Sequence, residues 1–469
     1  MSSNPAEVFR REVTKIRSAE NLPGDFALNV LQAADAATKG ATDRWRSVRV
    51  DLTDVAFVTL DPASSTDLDQ AFSVVADGHQ IVLNYALADI AAFAPSGGFV
   101  ETEAWQRGVT VYLPESRIPV YPSALCERAA SLLPDGPRPA IVVEVAVAPD
   151  GTSLLRSARR AVIASRAKLA YESTKLKDLS PLVLELHRRI VEAEHRRGAF
   201  KIDWPEQRVE IDTGSRNGVH LALRPMLDSE EANSSLSLAA NMALATVMIE
   251  AKSGLFRVMP EPDEHREHAL RRMANALGIS WPDNVTLRSL MPSLDPTNLQ
   301  HKKLLVEARK AGRGASYALY DATKPPWHSA LAASYAHATA PMRRLADRYV
   351  LEHVLALTSG DSTVETLAAL AQMPILMAKA DGRASAADRA IIDLVEALEV
   401  EGRVGEEFDG LVLESGSGGL VVQVVEPPVR SRVRLGSIAV NPSAGEHVKV
   451  RLTAVDVEAR SVTFELIQN

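Results

Sequence analysis

The last part of the chain, from residue 402 onward, contains five short β-type runs at regular spacing, and this pattern constrains the fold most. The runs are FDGLVLE, GLVVQVV, VRSRVRL, HVKVRLTAVDV and SVTFELI, with SGSGG between the first two. Five strands in so short a segment are typical of a small Greek-key barrel of the OB type. We therefore predict such a barrel over residues 401–469, with SGSGG as its first hairpin turn.

Upstream of this segment the sequence is first β-rich and then helical. Asp77-Gly78 between two apolar runs is a strong hairpin signal, and a second hairpin is predicted around 140–170. Later segments carry helical periodicity. These helical segments are 182–197, 231–253, 264–277, 299–311, 341–358 and 364–400. We predict an α+β fold in three parts, which are a helical lead-in (1–45), a domain of mixed sheet and helices (46–400) and the barrel (401–469).

The composition excludes several classes of protein. Hydrophobic residues make up 46% and charged residues 24% of the chain, which is ordinary globular usage and excludes a disordered or collagen-like chain. Cys126 is the single cysteine, so the chain can form no internal disulfide or thiolate cluster, and a reducing, cytoplasmic setting is expected. No window holds the roughly 20 uninterrupted apolar residues of a membrane span.

The net charge of −8 argues by itself against a nucleic-acid partner, because phosphate contacts need a basic footprint. The argument is weak, since a groove can be locally basic inside an acidic protein.

The segment VTLDPASSTDLDQAF brings Asp61, Asp67 and Asp69 close together on a loop that follows a strand. Carboxylates this close repel one another unless a cation neutralises them, and Mg²⁺ takes oxygen ligands of this kind. The segment indicates a Mg²⁺ or Mn²⁺ site for phosphoryl chemistry. The alternative is a solvated turn rich in Asp and Ser. An EF-hand fits poorly, because Phe72 and Gly78 stand where its Gly and Glu belong.

Several blocks resemble one family in the same order along the chain. They are DLTDVAFVTLDPASSTDLDQAFSV, YALADIAAF, EAWQRGVTVYLPESRIPVYP, SLLPDGPRPA, GLFRVMPEPD, SYAHATAPMRRLAD and RVGEEFDGLVLE. Over about residues 46–469 the chain resembles the RNB domain and closing OB barrel of the ribonuclease II / ribonuclease R family. The resemblance implies a metal-dependent hydrolytic exoribonuclease that degrades single-stranded RNA processively from 3′ to 5′ into nucleoside 5′-monophosphates. The lead-in is too short for the two cold-shock-type domains that usually precede the RNB domain.

The resemblance also implies roles for the acidic residues. Asp61, Asp67 and Asp69 match three of the four metal-site aspartates, and Asp69 is also expected to be catalytic. The fourth family aspartate is replaced by Gln70, a neutral and weaker ligand, so a catalytically silent RNA-binding protein stays an alternative. A phosphohydrolase acting on small molecules is a further alternative, although such substrates need no strand-binding barrel.

The segment HATAPMRRLADRYVLEHVLAL predicts a helix that begins at Pro341, with Thr339 as its cap. Arg343 and Arg344 would then lie in the first turn. There the helix dipole destabilises cations and stabilises a bound anion. The arginines therefore form either a phosphate clamp or ion pairs with carboxylates such as Asp347. By the resemblance, Arg343 is the catalytic arginine that stabilises the phosphoryl transition state, and Arg344 and Thr339 bind RNA.

Two further features concern RNA binding. Tyr112 in VYLP matches a family tyrosine that stacks near the RNA 3′ end. Arg430, Arg432 and Arg434 alternate in VRSRVRL, so they share one face of a strand. They form either a basic rail along the RNA backbone or an edge strand kept soluble by charge. The expected partner is single-stranded RNA, bound by a monomer with no membrane contact and no cofactor beyond the metal.

Overall fold

The structure, a computed structural model, describes residues 5–39, 42–199, 206–211, 218–295, 298–311, 314–416, 419–434, 442 and 446–467. Within these ranges the α-helices are α1 (Pro5–Ala19), α2 (Leu28–Thr38), α3 (Phe99–Arg107), α4 (Pro181–Arg197), α5 (Asp228–Glu250), α6 (Glu264–Ala276), α7 (Leu287–Leu290), α8 (Leu299–Ala311), α9 (Leu345–Ser359) and α10 (Val364–Val400). The strands are β1 (Val50–Asp61), β2 (Gln70–Asp77), β3 (Gln80–Ala88), β4 (Val111–Leu113), β5 (Ser116–Ile118), β6 (Arg138–Val147), β7 (Ser153–Ala170), β8 (Glu206–Ile211), β9 (Val219–Arg224), β10 (Leu255–Val258), β11 (Ser316–Leu319), β12 (Glu407–Gly416), β13 (Gly419–Val424), β14 (Arg430–Arg434), β15 (His447–Asp456) and β16 (Ser461–Leu466).

The first β-rich part closes into a barrel in the order β1-β2-β3-β6-β7. Both predicted hairpins are confirmed, β2 with β3 and β6 with β7. Gly78 makes the first turn possible because its φ of 58° is a conformation that L side chains avoid. The closing pair is β1 with β7, and it runs parallel. The sequence predicted a mixed sheet but not its closure, because this pairing joins strands that are remote along the chain.

Helix α5 is the central core helix of the first domain. It is long and apolar enough to pass the length and composition test for a membrane span, but 67% of its apolar window is buried inside the protein. Such burial is typical of the core helix of a globular protein. Two of its asparagines face the rest of the fold, since Asn233 Nδ2 donates to the Leu60 carbonyl at 3.2 Å and Asn241 Oδ1 accepts from Ala338 N at 3.0 Å. One helix therefore anchors two distant segments.

The C-terminal strands close into a second barrel in the order β12-β13-β14-β16-β15. The predicted OB-type barrel is confirmed, and with it the α+β class. Alternate side chains fill its core, including Val412, Leu420 and Phe464. Gly410 is required where β12 crosses β13, because a Cβ there would lie 2.4 Å from Val422 Cγ1. The predicted turn SGSGG covers residues 415–419, of which 417–418 lie outside the described residues.

The prediction for the helix at 341–358 was wrong at its start. Helix α9 begins at Leu345, and Arg344 is its N-cap with φ −131° and ψ 120°. Residues 341–343 form a turn instead, because Arg343 N and Arg344 N both donate to the Ala340 carbonyl, at 3.0 Å and 2.9 Å. Thr339 therefore does not cap the helix, and the two arginines precede its first turn rather than occupy it.

Helix α1 of the lead-in packs against the C-terminal half of α10. Phe9 and Ile16 of α1 are buried in one cluster with Leu394 and Leu398 of α10. The predicted helices at 299–311 and 364–400 are confirmed as α8 and α10. The division of the chain at 45/46 and at 400/401 stays a prediction.

Candidate active site

The acidic loop between β1 and β2 is held at both ends by backbone hydrogen bonds. Asp61 is the last residue of β1, and its carbonyl accepts from Tyr171 N at 3.0 Å. Asp69 immediately precedes β2, and its carbonyl accepts from Ala88 N at 2.9 Å. The two aspartates are thus fixed to the rim of the first barrel.

Side chains from other strands and loops fix the middle of this loop. Ser131 Oγ donates to the Thr66 carbonyl at 2.7 Å and accepts from Leu68 N at 2.9 Å. Lys168 Nζ donates to the carbonyls of Ala63 at 2.8 Å and Ser65 at 2.6 Å. A loop whose backbone groups are satisfied in this way is preorganised, while Ala63, Ser64 and Thr66 on it are exposed to solvent.

Asp69 is buried, with 1% exposure, and both its oxygens have partners. Oδ1 accepts from Met342 N at 2.7 Å, and Oδ2 accepts from Arg343 Nε at 2.8 Å. Burial raises the pKa of Asp69 to about 6, although the Arg343 guanidinium opposes this change. The structure therefore brings the predicted catalytic pair, Asp69 and Arg343, into direct contact.

Asp67 pairs with an arginine that sequence reasoning missed. Arg117 Nη1 lies 2.6 Å from Asp67 Oδ1, and Arg117 Nη2 lies 2.6 Å from Glu127 Oε1. No motif in the sequence marks Arg117 as a site residue; the only signal is that it lies in ESRIP, within one of the blocks that resemble the family. It neutralises part of the acidic cluster.

Asp61 is the one member of the trio with a buried oxygen, Oδ2, that has no hydrogen-bond partner among the described residues. Burial raises the pKa of Asp61 to about 7; Arg343 opposes this change, while Asp69 and Asp67 add to it. An orphaned buried carboxylate oxygen beside two other carboxylates is the kind of acceptor that a hard cation satisfies. The donor chemistry fits Mg²⁺ or Mn²⁺.

The described residues nevertheless contain no group of three or more His, Cys, Asp or Glu side chains placed together as a ready metal cage. Asp67 and Asp69 are instead bound to guanidinium groups, those of Arg117 and Arg343. Gln70 has a partner as well, because the Tyr85 hydroxyl donates to its Oε1.

The two arginines of the second block have different partners. Arg344 Nη2 and Nε lie 2.7 Å and 3.0 Å from the two oxygens of Asp347, which is fully buried. Both arginines therefore form ion pairs with carboxylates, Arg344 with Asp347 and Arg343 with Asp69. Thr339 is buried, and its hydroxyl accepts from Asn241 Nδ2 at 3.2 Å. Its contact with RNA stays a prediction.

Arg343 and Arg344 open onto a cavity of about 440 Å³ that Tyr112 and Arg257 also line. Tyr112 lies on β4 and is 52% exposed, so its ring is accessible to a stacking partner. Arg257 Nη1 lies 3.0 Å from Asp381 Oδ2, and its guanidinium stacks over the Tyr317 ring at 4.6 Å. Sequence reasoning missed Arg257, although the block GLFRVMPEPD contains it.

On the second barrel, Arg430 and Arg432 are exposed and alternate along β14 with the buried Ser431 and Val433. They share one face, as period two requires. Arg434 lies on the same strand, but its side chain is outside the described residues. This placement is compatible with both interpretations, which are that the arginines contact the RNA backbone and that they only keep the strand soluble.

Comparison with known proteins places these features in a family. The family model described as the RNB domain matches residues 49–360, and the RNase II-type exonuclease C-terminal S1 domain matches residues 406–467. The chain is 25% identical to a protein named ribonuclease R from Aquifex aeolicus, covering 99% of this chain and 71% of that protein. It is 26% identical to a ribonuclease R from Thermotoga maritima, covering 89% of this chain and 62% of the relative.

The fold is similar to a solved structure of Mycoplasma genitalium RNase R in complex with ribose-methylated single-stranded RNA. The TM-score is 0.85 at 19% sequence identity, and the match covers 99% of this chain and 78% of that chain. At this identity the likeness shows the shared fold.

Proposed function

Because the chain belongs to the RNB-domain family, we propose that it is a hydrolytic 3′-to-5′ exoribonuclease acting on single-stranded RNA and releasing nucleoside 5′-monophosphates. The observation that carries the proposal is the Asp69–Arg343 contact at 2.8 Å, formed inside an acidic cluster and beside a cavity with three arginines. In such a site, the arginines can bind the negatively charged phosphodiester, and the carboxylates lie beside the bond that is cleaved.

Arg343 has the role of stabilising negative charge on the phosphate that is attacked. Its guanidinium donates to Asp69, and the backbone carbonyl of the same residue accepts from Thr110 N at 2.9 Å. A guanidinium fixed in this way needs little reorganisation when charge develops on the substrate, which is the main source of electrostatic catalysis.

Asp61, Asp67 and Asp69 would hold a Mg²⁺ or Mn²⁺ ion. When bound, such an ion activates water and neutralises phosphate charge. To bind the ion, Asp67 and Asp69 would have to share their carboxylates between an arginine and the ion, or give up the arginine. The Oδ2 atom of Asp61, in contrast, has no hydrogen-bond partner among the described residues. Tyr112, half-exposed at the cavity, would stack on a base of the terminal nucleotides, an interaction that is indifferent to sequence.

The direct test is an assay with 5′-labelled oligo(A) in Mg²⁺ and then in excess chelator. Stepwise shortening with release of 5′-AMP, abolished by the chelator, is the expected result. Asp69→Asn should abolish release and leave RNA binding largely intact, because it removes the charge that positions Arg343. Asp54→Asn is the matched control, since Asp54 lies on β1 but is exposed.

A second candidate is a catalytically weak or silent RNA-binding protein with the same fold. The replacement of the fourth family aspartate by Gln70, whose oxygen already binds the Tyr85 hydroxyl, favours it. A retarded but intact oligo(A) band at every Mg²⁺ and Mn²⁺ concentration would establish this candidate and overturn the first.

A further inference from the structure

We propose that Asn241 on α5 is a positioning residue for Arg343, on which it acts through the backbone of residues 335–339. The inference rests on the proposed function, since it concerns the group that would stabilise the charge developing on the phosphate. It assigns to Asn241 the role of fixing the chain segment that leads into the turn at 341–343.

Asn241 is a buried amide in an otherwise apolar stretch of α5. It is 1% exposed, and its neighbours Ala240, Ala243 and Leu244 are fully buried. Burying an amide is unfavourable unless its polar atoms form hydrogen bonds. The amide at this position is therefore explained by the groups it binds and not by the packing of the helix, which an apolar side chain of similar size would serve as well.

In the described structure the side chain of Asn241 makes three hydrogen bonds, and all three reach one five-residue segment. Its Oδ1 accepts from Ala338 N at 3.0 Å. Its Nδ2 donates to the Tyr335 hydroxyl at 3.1 Å and to Thr339 Oγ1 at 3.2 Å. Residues 334–338 belong to no helix or strand, so Asn241 gives Ala338 N the partner that a regular element would otherwise supply.

This segment leads directly into the turn that carries Arg343. Two residues after Ala338, Ala340 N donates to Asp347 Oδ2 at 2.8 Å, and the Ala340 carbonyl accepts from Arg343 N at 3.0 Å. At the end of the turn the Arg343 carbonyl accepts from Thr110 N at 2.9 Å. Asn241 therefore fixes the chain before the turn, and two other elements fix the turn itself.

The position of this turn determines how Arg343 meets Asp69. Met342 N donates to Asp69 Oδ1 at 2.7 Å, and Arg343 Nε donates to Oδ2 at 2.8 Å. Two groups of one turn must therefore be placed on a single buried carboxylate. Because a misplacement of about 1 Å can lower a rate by about 100-fold, loss of the Asn241 hydrogen bonds should slow cleavage by misdirecting Arg343.

The test is a double-mutant cycle on the full chain, measured as the single-turnover cleavage rate of 5′-labelled oligo(A) in Mg²⁺. Asn241→Leu nearly keeps the side-chain size and removes all three hydrogen bonds, so it should lower the rate at least about tenfold. In the Arg343→Ala background the same substitution should change the rate less than about twofold, because the group it positions is absent. The affinity for oligo(A) in chelator should stay within about twofold of that of the parent chain in each background.

Two further variants complete the experiment. Asn275→Leu, the same change at an exposed position on α6, is the control and should leave the rate unchanged in both backgrounds. Tyr335→Phe removes one of the three hydrogen bonds and keeps the ring, so it should lower the rate about threefold, again only where Arg343 is present. This variant carries the test if circular dichroism shows that Asn241→Leu does not fold.

A folded Asn241→Leu variant that cleaves at the wild-type rate would overturn the inference. An equal loss of rate with and without Arg343 would overturn it as well, because it would show that Asn241 only maintains the fold. A wild-type chain that does not cleave oligo(A) would instead overturn the proposed function, and the inference with it. The wild-type rate thereby distinguishes the two failures.

Discussion

Glu396 on α10 is a buried carboxyl at the contact between the first domain and the second barrel. It is 5% exposed, and its Oε1 accepts from Arg430 N at 2.7 Å and from Gln207 Nε2 at 3.0 Å. Gln207 Nε2 also donates to the Pro428 carbonyl at 2.9 Å. The side chain thus joins α10, β8 and the barrel through a single acceptor oxygen.

Burial raises the pKa of Glu396 from 4.5 to about 7, while the two hydrogen bonds oppose this change. Because one pKa unit corresponds to about 1.4 kcal/mol, ionised Glu396 should cost the folded state about 3 kcal/mol. The pKa of Glu396 is higher in the folded state than in the unfolded state. The stability that neutral Glu396 contributes is therefore fully present below pH 4.5 and is lost as the pH rises through 7.

We expect Glu396→Gln to be more stable than the wild type at pH 8 by about 3 kcal/mol and equal to it near pH 4.5. The glutamine stays neutral and keeps an Oε1 acceptor for both donors. Urea unfolding of the full chain, followed by far-UV circular dichroism across this pH range, measures the difference.

Glu458→Gln is the control, because Glu458 has a side chain that is 81% exposed. It should show no pH-dependent difference from the wild type. A Glu396→Gln variant with the wild-type stability at pH 8, or with a lower one, would refute the reasoning, since it would mean that ionising Glu396 does not destabilise the folded state.

Arg343→Ala should lower single-turnover cleavage at least about tenfold, the low end for losing one electrostatic stabiliser; an unchanged rate would remove its catalytic role. Arg257→Gln should raise the KM for oligo(A) about tenfold with little change in kcat, equivalent to about 1.4 kcal/mol of lost phosphate binding, and a fall in kcat alone would contradict this. Changing both Arg430 and Arg432 to Ser should reduce the salt slope of RNA binding by about 1.4 if each meets a phosphate. An unchanged slope would show that they only keep the strand soluble.

Features that depend on local patterns could be predicted from the amino-acid sequence. Strand and helix periods predicted α8, α10, the β2–β3 hairpin and the second barrel, because these depend on which face of each segment is apolar. Consecutive motif blocks identified the family, and spacing put three aspartates on one loop.

Which groups face one another could not be predicted in this way, because it depends on the folded arrangement. Arg343 binds Asp69 across 274 residues of sequence, whereas Arg344 binds Asp347 three residues on. No local period distinguishes the two adjacent arginines, because their directions follow from the turn at 341–343 and from the hydrogen bond that Thr110 N donates to the Arg343 carbonyl. The hydrogen bond from Tyr85 to Gln70 likewise arises between neighbouring strands. Side-chain pairing between distant segments depends on how the barrel closes, and a linear pattern carries no information about that closure.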